Sequence, residues 1–344
     1  SPDTRWCEKE ERYSMKKTLI NYAKALALPV GVYLLFTILT GGSFGTGSSM
    51  LAIVRTSIVP ILLGMSLSFG MSMGMWNFAA GAIIYCTAIF AADLSELLGW
   101  GIPGIILFSL VISTAANAIV GWVYNAVRVP CMVLSLGFAM VFESLPHFLT
   151  NDFTGKISIS QSYLAGMPWC VIIVAVMFVI FYMLNSRTTL GANIRAIGAN
   201  IAISNNAGVN IDRVKFLSFL ISGVFLGVTS VMYLSINVSV VAVTGFTSVS
   251  MIFDSMMGIF IAAVLAKYVN YSVAVVLGIF TIRMLGTAMV AFGMSSQVRG
   301  VMTGVFLLVV LVYSANAGLL EQTRTKKRIA AEANAAYQKS KAAG

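Results

Sequence analysis

Residues 168–185 read PWCVIIVAVMFVIFYMLN, an unbroken run without a charged side chain, and the first charge after it is Arg187. A helix crossing the hydrocarbon core of a bilayer needs about 20 residues of this kind, so the run reads as a membrane span. Moved outward in both directions, the same ruler of about 20 residues finds about ten spans. They lie near 18–40, 51–70, 74–92, 101–125, 130–149, 168–185, 214–236, 247–266, 270–291 and 297–315. The breaks inside 51–92 and 247–291 are only weakly polar. Pro103 and Pro130 stand close to helix starts, where proline is tolerated. The expected fold is an all-α integral membrane protein, a polytopic helical bundle of about ten transmembrane helices. It divides into an N-terminal segment 1–17, a transmembrane domain 18–315 and a C-terminal tail 316–344.

Composition agrees with that ruler. Hydrophobic residues make up 58% of the chain and charged residues 10%, with mean hydropathy +0.90. A soluble domain carries about 25% charged residues, so lipid is the expected outer solvent. The formal net charge of +10 does not point to nucleic acid, because the bases sit in short connectors and at the two ends. Cys7, Cys86, Cys131 and Cys170 have no metal-like spacing and suggest no disulfide framework. Ser1 to Lys17 is polar and mixed in charge, which predicts that the first apolar segment is retained as a span.

Lysine and arginine set the orientation. With ten spans and both ends cytoplasmic, the inner segments hold Arg5, Lys9, Arg12, Lys16, Lys17, Arg128, Arg187, Arg195, Arg213, Lys215, Lys267, Arg324, Lys326, Lys327 and Arg328. The outer segments hold Lys156, Arg299 and the acids Asp93, Glu96 and Asp152. The longest outer connector, 150–167, suits either a docking element or a plain linker. Gly41 to Gly45 reads as a flexible turn. The tail after Glu321 suits a surface helix or a solvated anchor.

The longest inner connector, about 190–215, reads LGANIRAIGANIAISNNAGVNIDRVK. It predicts a short helix over about 200–207, stopped by Gly208, and a new helix start at Asn210. A helix lying along the membrane surface offers a small, weakly polar knob that fits a groove on a cytoplasmic partner. Merely capping the bundle is the plainer role, and the residues alone leave both open.

The stretch resembles the coupling segment of permeases for ribose, galactose and related solutes in bacterial ABC importers. Their pattern runs arginine, a few residues, Gly-Gly-Asn, Glu-Ala-Ala, a short polar run, Ser-Gly-Ile-Asn-Val and a basic residue. Here it is carried by Arg195, Gly198, Asn200, Ala202, Gly208, Val209, Asn210, Ile211, Arg213 and Lys215. Gly70-Met71-Ser72-Met73-Gly74 is similar to the family's Gly-Ile-Asp-Leu-Ser-Val-Gly break between two spans, and the order of spans fits from about 18 to 315. Departures are Ile201 in place of glutamate, Ala207 in place of serine, Met71-Ser72 in the break, and 261–270, where a glycine-rich stretch is expected.

The resemblance implies that Arg195, Gly198, Asn200, Ala202, Ser204, Asn205, Gly208, Asn210, Asp212 and Arg213 receive the stroke of cytoplasmic ATPase subunits. Those subunits bring ATP and magnesium; this chain has no Gly-x-x-x-x-Gly-Lys-Ser/Thr loop to hold them. The resemblance further implies an external solute-binding protein and either a second copy or a paralogous permease, the departures favouring the paralogue. It also implies a multi-pass location in the bacterial inner membrane.

Charges inside lipid cost at least a few kcal/mol on insertion scales. Arg55 and Glu143 lie near outer span ends, where snorkelling explains them. Asp254 and Arg283 lie deeper, as a structural bridge or as lining of the solute path. Met71, Met73, Trp76 and Asn77 form the best candidate path segment, since broken helix at membrane depth is tolerated only against protein or water. Trp76 suits stacking on a sugar ring and Asn77 suits its hydroxyls, with methionine-rich packing as the alternative. His147 lacks the deeper acids that a proton relay needs. A third class, an intramembrane enzyme, lacks a nucleophile–base pair or metal-ligand cluster to support it. A secondary, gradient-driven carrier is the competing class.

Overall fold

In lipid every backbone polar group must be satisfied within the protein, so long apolar runs become helices. The computed structural model describes residues 2–40, 42–149, 154–295 and 298–312. Helices α1 (Pro2–Leu39), α2 (Gly47–Met71), α3 (Ala79–Leu98), α4 (Gly101–Val127) and α5 (Cys131–Leu149) come first. Strand β1 (Thr154–Lys156) follows, then α6 (Trp169–Arg187), α7 (Thr189–Ala199), α8 (Ile201–Asn206) and α9 (Ile211–Asn237). Strand β2 (Ser239–Val241), α10 (Val249–Leu265) and α11 (Tyr271–Ala291) complete the first compact unit, which ends at Phe292. Helix α12 (Val298–Val312) belongs to a second unit.

Among the described residues, eight helices are long and apolar enough to cross a membrane, and α10 and α12 are apolar but shorter. These ten helices fall where the sequence predicts ten spans. The fold is all-α and polytopic. Helix α1 runs from Pro2 through the start of the first predicted span. Two details add to expectation. The connector before α9 holds an additional helix, α7. In the 150–167 connector, β1 pairs antiparallel with β2, Thr154 opposite Val241. The tail 316–344 and Asn151 to Phe153 lie outside the described residues.

Lipid offers no hydrophobic drive between helices, so close packing and interhelical hydrogen bonds hold the bundle. Helices α2, α3 and α9 bury most of their apolar stretch, while α5, α6 and the Asn21–Leu39 part of α1 bury less than a third of theirs. The most extensive pairing is α4 with α9. Gly223 and Gly227 allow it: a Cβ on the first would lie 2.8 Å from Thr114 Cα, and on the second 2.9 Å from Leu110 Cα. Across this contact Ser113 Oγ donates to the Gly223 carbonyl at 2.8 Å and Asn117 Nδ2 to the Phe219 carbonyl at 2.6 Å. Ser66 and Ser222 join α2 to α9 at 2.7 Å.

Candidate functional site

The connector from α6 to α9 is built from local caps. Thr188 Oγ1 accepts from the Gly191 amide and starts α7. Gly191, Ile194 and Ile197 form its buried stripe, one helical turn apart. Asn200 Oδ1 accepts from the Ile203 amide and starts α8, the short helix predicted over 200–207. Gly208 ends it at φ +81°, with the Val209 amide bonded to the Ser204 carbonyl at 3.1 Å. Asn210 Oδ1 then accepts from the Arg213 amide and starts α9. Ser204 is buried and bonds back to the Asn200 carbonyl, whereas Ala202, Asn205, Asp212 and Arg213 are exposed. Ile201 and Ile203 also project outward. An open groove of about 610 Å³ runs beside them, lined by Ile201, Asn205, Gly208, Asn210 and Asp212 among others.

Helix α7 is fastened inward. Arg195 Nη1 donates to the Asn185 carbonyl near the end of α6. Asn185 Nδ2 in turn donates to Ser272 Oγ at 3.1 Å, and Ser186 Oγ to Asn270 Oδ1 at 3.2 Å, both at the start of α11. The decisive contact lies at the other end of α7. A Cβ on Gly198 would strike the Ser72 carbonyl oxygen and lie 3.1 Å from its carbon. Ser72 belongs to the break between α2 and α3, and its hydroxyl donates to Tyr271 OH at 3.3 Å. The two stretches singled out in the sequence therefore touch, backbone to backbone, beside α11.

Past Ser72 the break turns on the Gly70 carbonyl, which accepts from the Met73 and Met75 amides. Met73 is buried, Met71 and Trp76 are half-buried, and the Trp76 ring meets Phe260 of α10 at 5.7 Å between centroids. Asn77 is buried and engaged: Nδ2 donates to Asn117 Oδ1 at 2.9 Å, and Oδ1 accepts from the Ala79 amide at 3.1 Å. Ser135 of α5 accepts from the Phe78 amide and donates to the Trp76 carbonyl. The gap beside Asn77, next to Gly70, Ser218 and Ser222, measures about 10 Å³, room for about one water.

Asp254 and Arg283 pair at 2.5 Å, joining α10 to α11. Arg55 is exposed near the start of α2. Glu143 departs from the snorkelling expected of it. It is buried, and its two oxygens accept from the Phe246 and Ser248 amides, each at 2.9 Å, just ahead of α10. Those amides lie in the turn that leads into α10 and at its N-cap, so Glu143 braces the entry to that helix from another one. Its partners lie over one hundred positions away, and no local signal announces them. Cys86, Cys131 and Cys170 are free and buried. Among the described residues no cluster of histidine, cysteine or acid fits a metal ion.

The chain is thus a multi-pass helical bundle in which α7 presses against a break between two spans. The family described as the permease component of branched-chain amino acid transport systems matches residues 49–311, and the chain belongs to it. Among its relatives are a probable ABC transporter permease of Escherichia coli, 24% identical over 58% of this chain and 61% of the relative. A ribose import permease of Haemophilus influenzae is 24% identical over 52% of this chain and 58% of the relative. A xylose transport system permease of Escherichia coli is 19% identical over 59% and 69%. The matches thus span about three fifths of the length of the first two relatives, 61% and 58%. No solved structure matches the chain.

Proposed function

We propose that the chain is the membrane-spanning permease subunit of an ATP-driven importer for a sugar or sugar-like solute in the bacterial inner membrane. Both termini are cytoplasmic in this reading, as the placement of lysine and arginine predicts. The observation that carries it is the approach of Gly198 to Ser72. A push on α8 has a path inward through α7, whose Gly198 meets the backbone of Ser72 in the α2–α3 break. Arg195 and Asn185 keep α7 fixed to α6 and, through Ser272, to α11, so the push reaches three helices together. Interiors this tightly packed transmit displacement and do not absorb it.

Partner ATPase subunits supply ATP and magnesium, and their closure moves α8, whose Ile201 and Ile203 are the exposed apolar contacts. An external binding protein delivers solute, and a second copy or a paralogous permease completes the assembly. The sugar class is supported by the ribose and xylose relatives. The test is reconstitution of the chain in vesicles with its ATPase and binding-protein partners, and measurement of ribose and xylose uptake with and without ATP. Uptake that requires ATP and fails in Gly198→Val supports the reading. Uptake by the isolated chain on a solute or ion gradient alone would replace it with the carrier.

A further inference from the structure

Arg283 stands near the middle of α11, twelve residues from its first and eight from its last, about 12 Å from the nearer end of that helix, and Asp254 stands five residues into α10, about 8 Å from its start. The pair is not enclosed. Side-chain exposure is 29% for Arg283 and 40% for Asp254. Only Oδ2 of Asp254 is bonded to Arg283, and Arg283 Nε is buried without a partner. Charged groups left open in hydrocarbon are costly, and those that occur in spans face a bundle interior or water.

The surrounding face differs from the exposed side of α6 between Val171 and Met183. The outer face of α6 shows Val171, Val176, Val179 and Met183, all aliphatic or thioether. The outer face of α10 shows Ser250, Phe253, Asp254, Met257 and Phe260, at the spacing of a single helix face. The Phe260 ring continues it onto Trp76, and the Phe253 ring meets Phe78 at 6.2 Å. Lipid-facing positions have no use for a carboxylate among aromatic rings. A polyhydroxylated ring does: its C–H face packs on aromatics, and its hydroxyls donate to a carboxylate. An uncharged solute also leaves the ion pair intact, whereas a zwitterion would have to compete with it.

We infer that the α10 face from Ser250 to Phe260, with Trp76, is a water-lined wall of the solute path and carries a sugar subsite. In it Asp254 accepts ring hydroxyls, Phe260 and Trp76 form the platform, and Arg283 positions the carboxylate. This rests on the sugar reading above. It moves hydroxyl recognition from Asn77, whose oxygen already caps α3, to Asp254.

The test places single cysteines at Ser250 and Met257, with Val176→Cys as the lipid-facing control. Purified chains in vesicles are treated with a charged, membrane-impermeant thiol reagent, and the background of the native cysteines is subtracted. Ser250→Cys and Met257→Cys should react at least tenfold faster than Val176→Cys. D-Ribose, D-xylose or D-galactose at high concentration should slow them at least threefold, and L-leucine should not. Adding Asp254→Asn should remove the sugar protection and leave the labelling. Reaction no faster than at Val176 would overturn the wall. Labelling that none of the three sugars slows, or that leucine alone slows, would overturn the subsite. Labelling needs no ATPase, so sugar protection in a chain without ATP-driven uptake would keep the subsite and sink the importer reading.

Discussion

The connector from α6 to α9 and the connector from α9 to α10 flank the same long helix, yet they hold their shapes by opposite means. The first is written almost wholly in its own residues: three caps, from Thr188, Asn200 and Asn210, and the left-handed Gly208. The second is held from afar. It places Val238 at φ 62° and Phe246 at φ 63°, a conformation that side-chain-bearing residues rarely take, and depends on β1 and on Glu143 of α5 to stay there. The contrast has a mechanical meaning. A self-contained segment can be displaced as a unit without losing its form, which suits an element that receives a stroke. A segment fixed by residues on other helices resists displacement unless those helices move with it.

The sharpest way to break the comparison is at Glu143. Glu143→Ala leaves the buried Ser248 amide and the part-buried Phe246 amide unpaired, at about 1–3 kcal/mol for the buried one. Hydrogen exchange at Phe246 and Ser248 should quicken at least tenfold, with the amides of α8 unaffected. If protection at Ser248 persists, the α9–α10 connector is self-supporting and the contrast fails. Next in size is Gly198→Val, which forces a side chain against the Ser72 backbone at about 1–3 kcal/mol. ATP-driven uptake should fall about tenfold or more while exchange within α8 stays normal, a pairing that separates transmission from folding.

Asn200→Ala and Asn210→Ala each remove one local cap, at about 1 kcal/mol. Exchange should quicken in the first turn of α8 or of α9 respectively and nowhere else; spread of either effect to the α9–α10 connector would contradict the local account. Smallest for stability is Ile203→Gln, an exposed substitution expected to stay within about 0.5 kcal/mol. Its effect should appear only as weaker ATPase association, read by copurification.

The same contrast explains what the sequence made legible. Spans were readable because lipid demands a fixed length of apolar residues, and 168–185 meets that demand unaided. Helix α8 was readable because its start at Asn200 and stop at Gly208 lie within a few residues of each other. Helix α7 is equally local, and its signals in the sequence are Thr188 and the Ile194–Ile197 spacing. By contrast, nothing near Asn77 announces Asn117, 40 positions on, so its amide looked free for solute. Strands of three residues carry too little pattern to oppose an all-helical reading. Gly223 and Gly227 announce a close contact, but only the structure names α4 as the helix they meet.

Helix α10 has 17 residues and so reaches about 25 Å, some 5 Å short of a hydrocarbon core of about 30 Å. The missing depth falls to the segment from Ser239 to Ser248, whose non-helical backbone is sheltered by β1 and capped by Glu143. Hydrophobic mismatch is therefore expected at α10, the helix that bears Asp254. Transport should accordingly depend on acyl-chain length, proceeding faster in thin bilayers, where the lipid boundary draws level with the end of α10, than in thick ones.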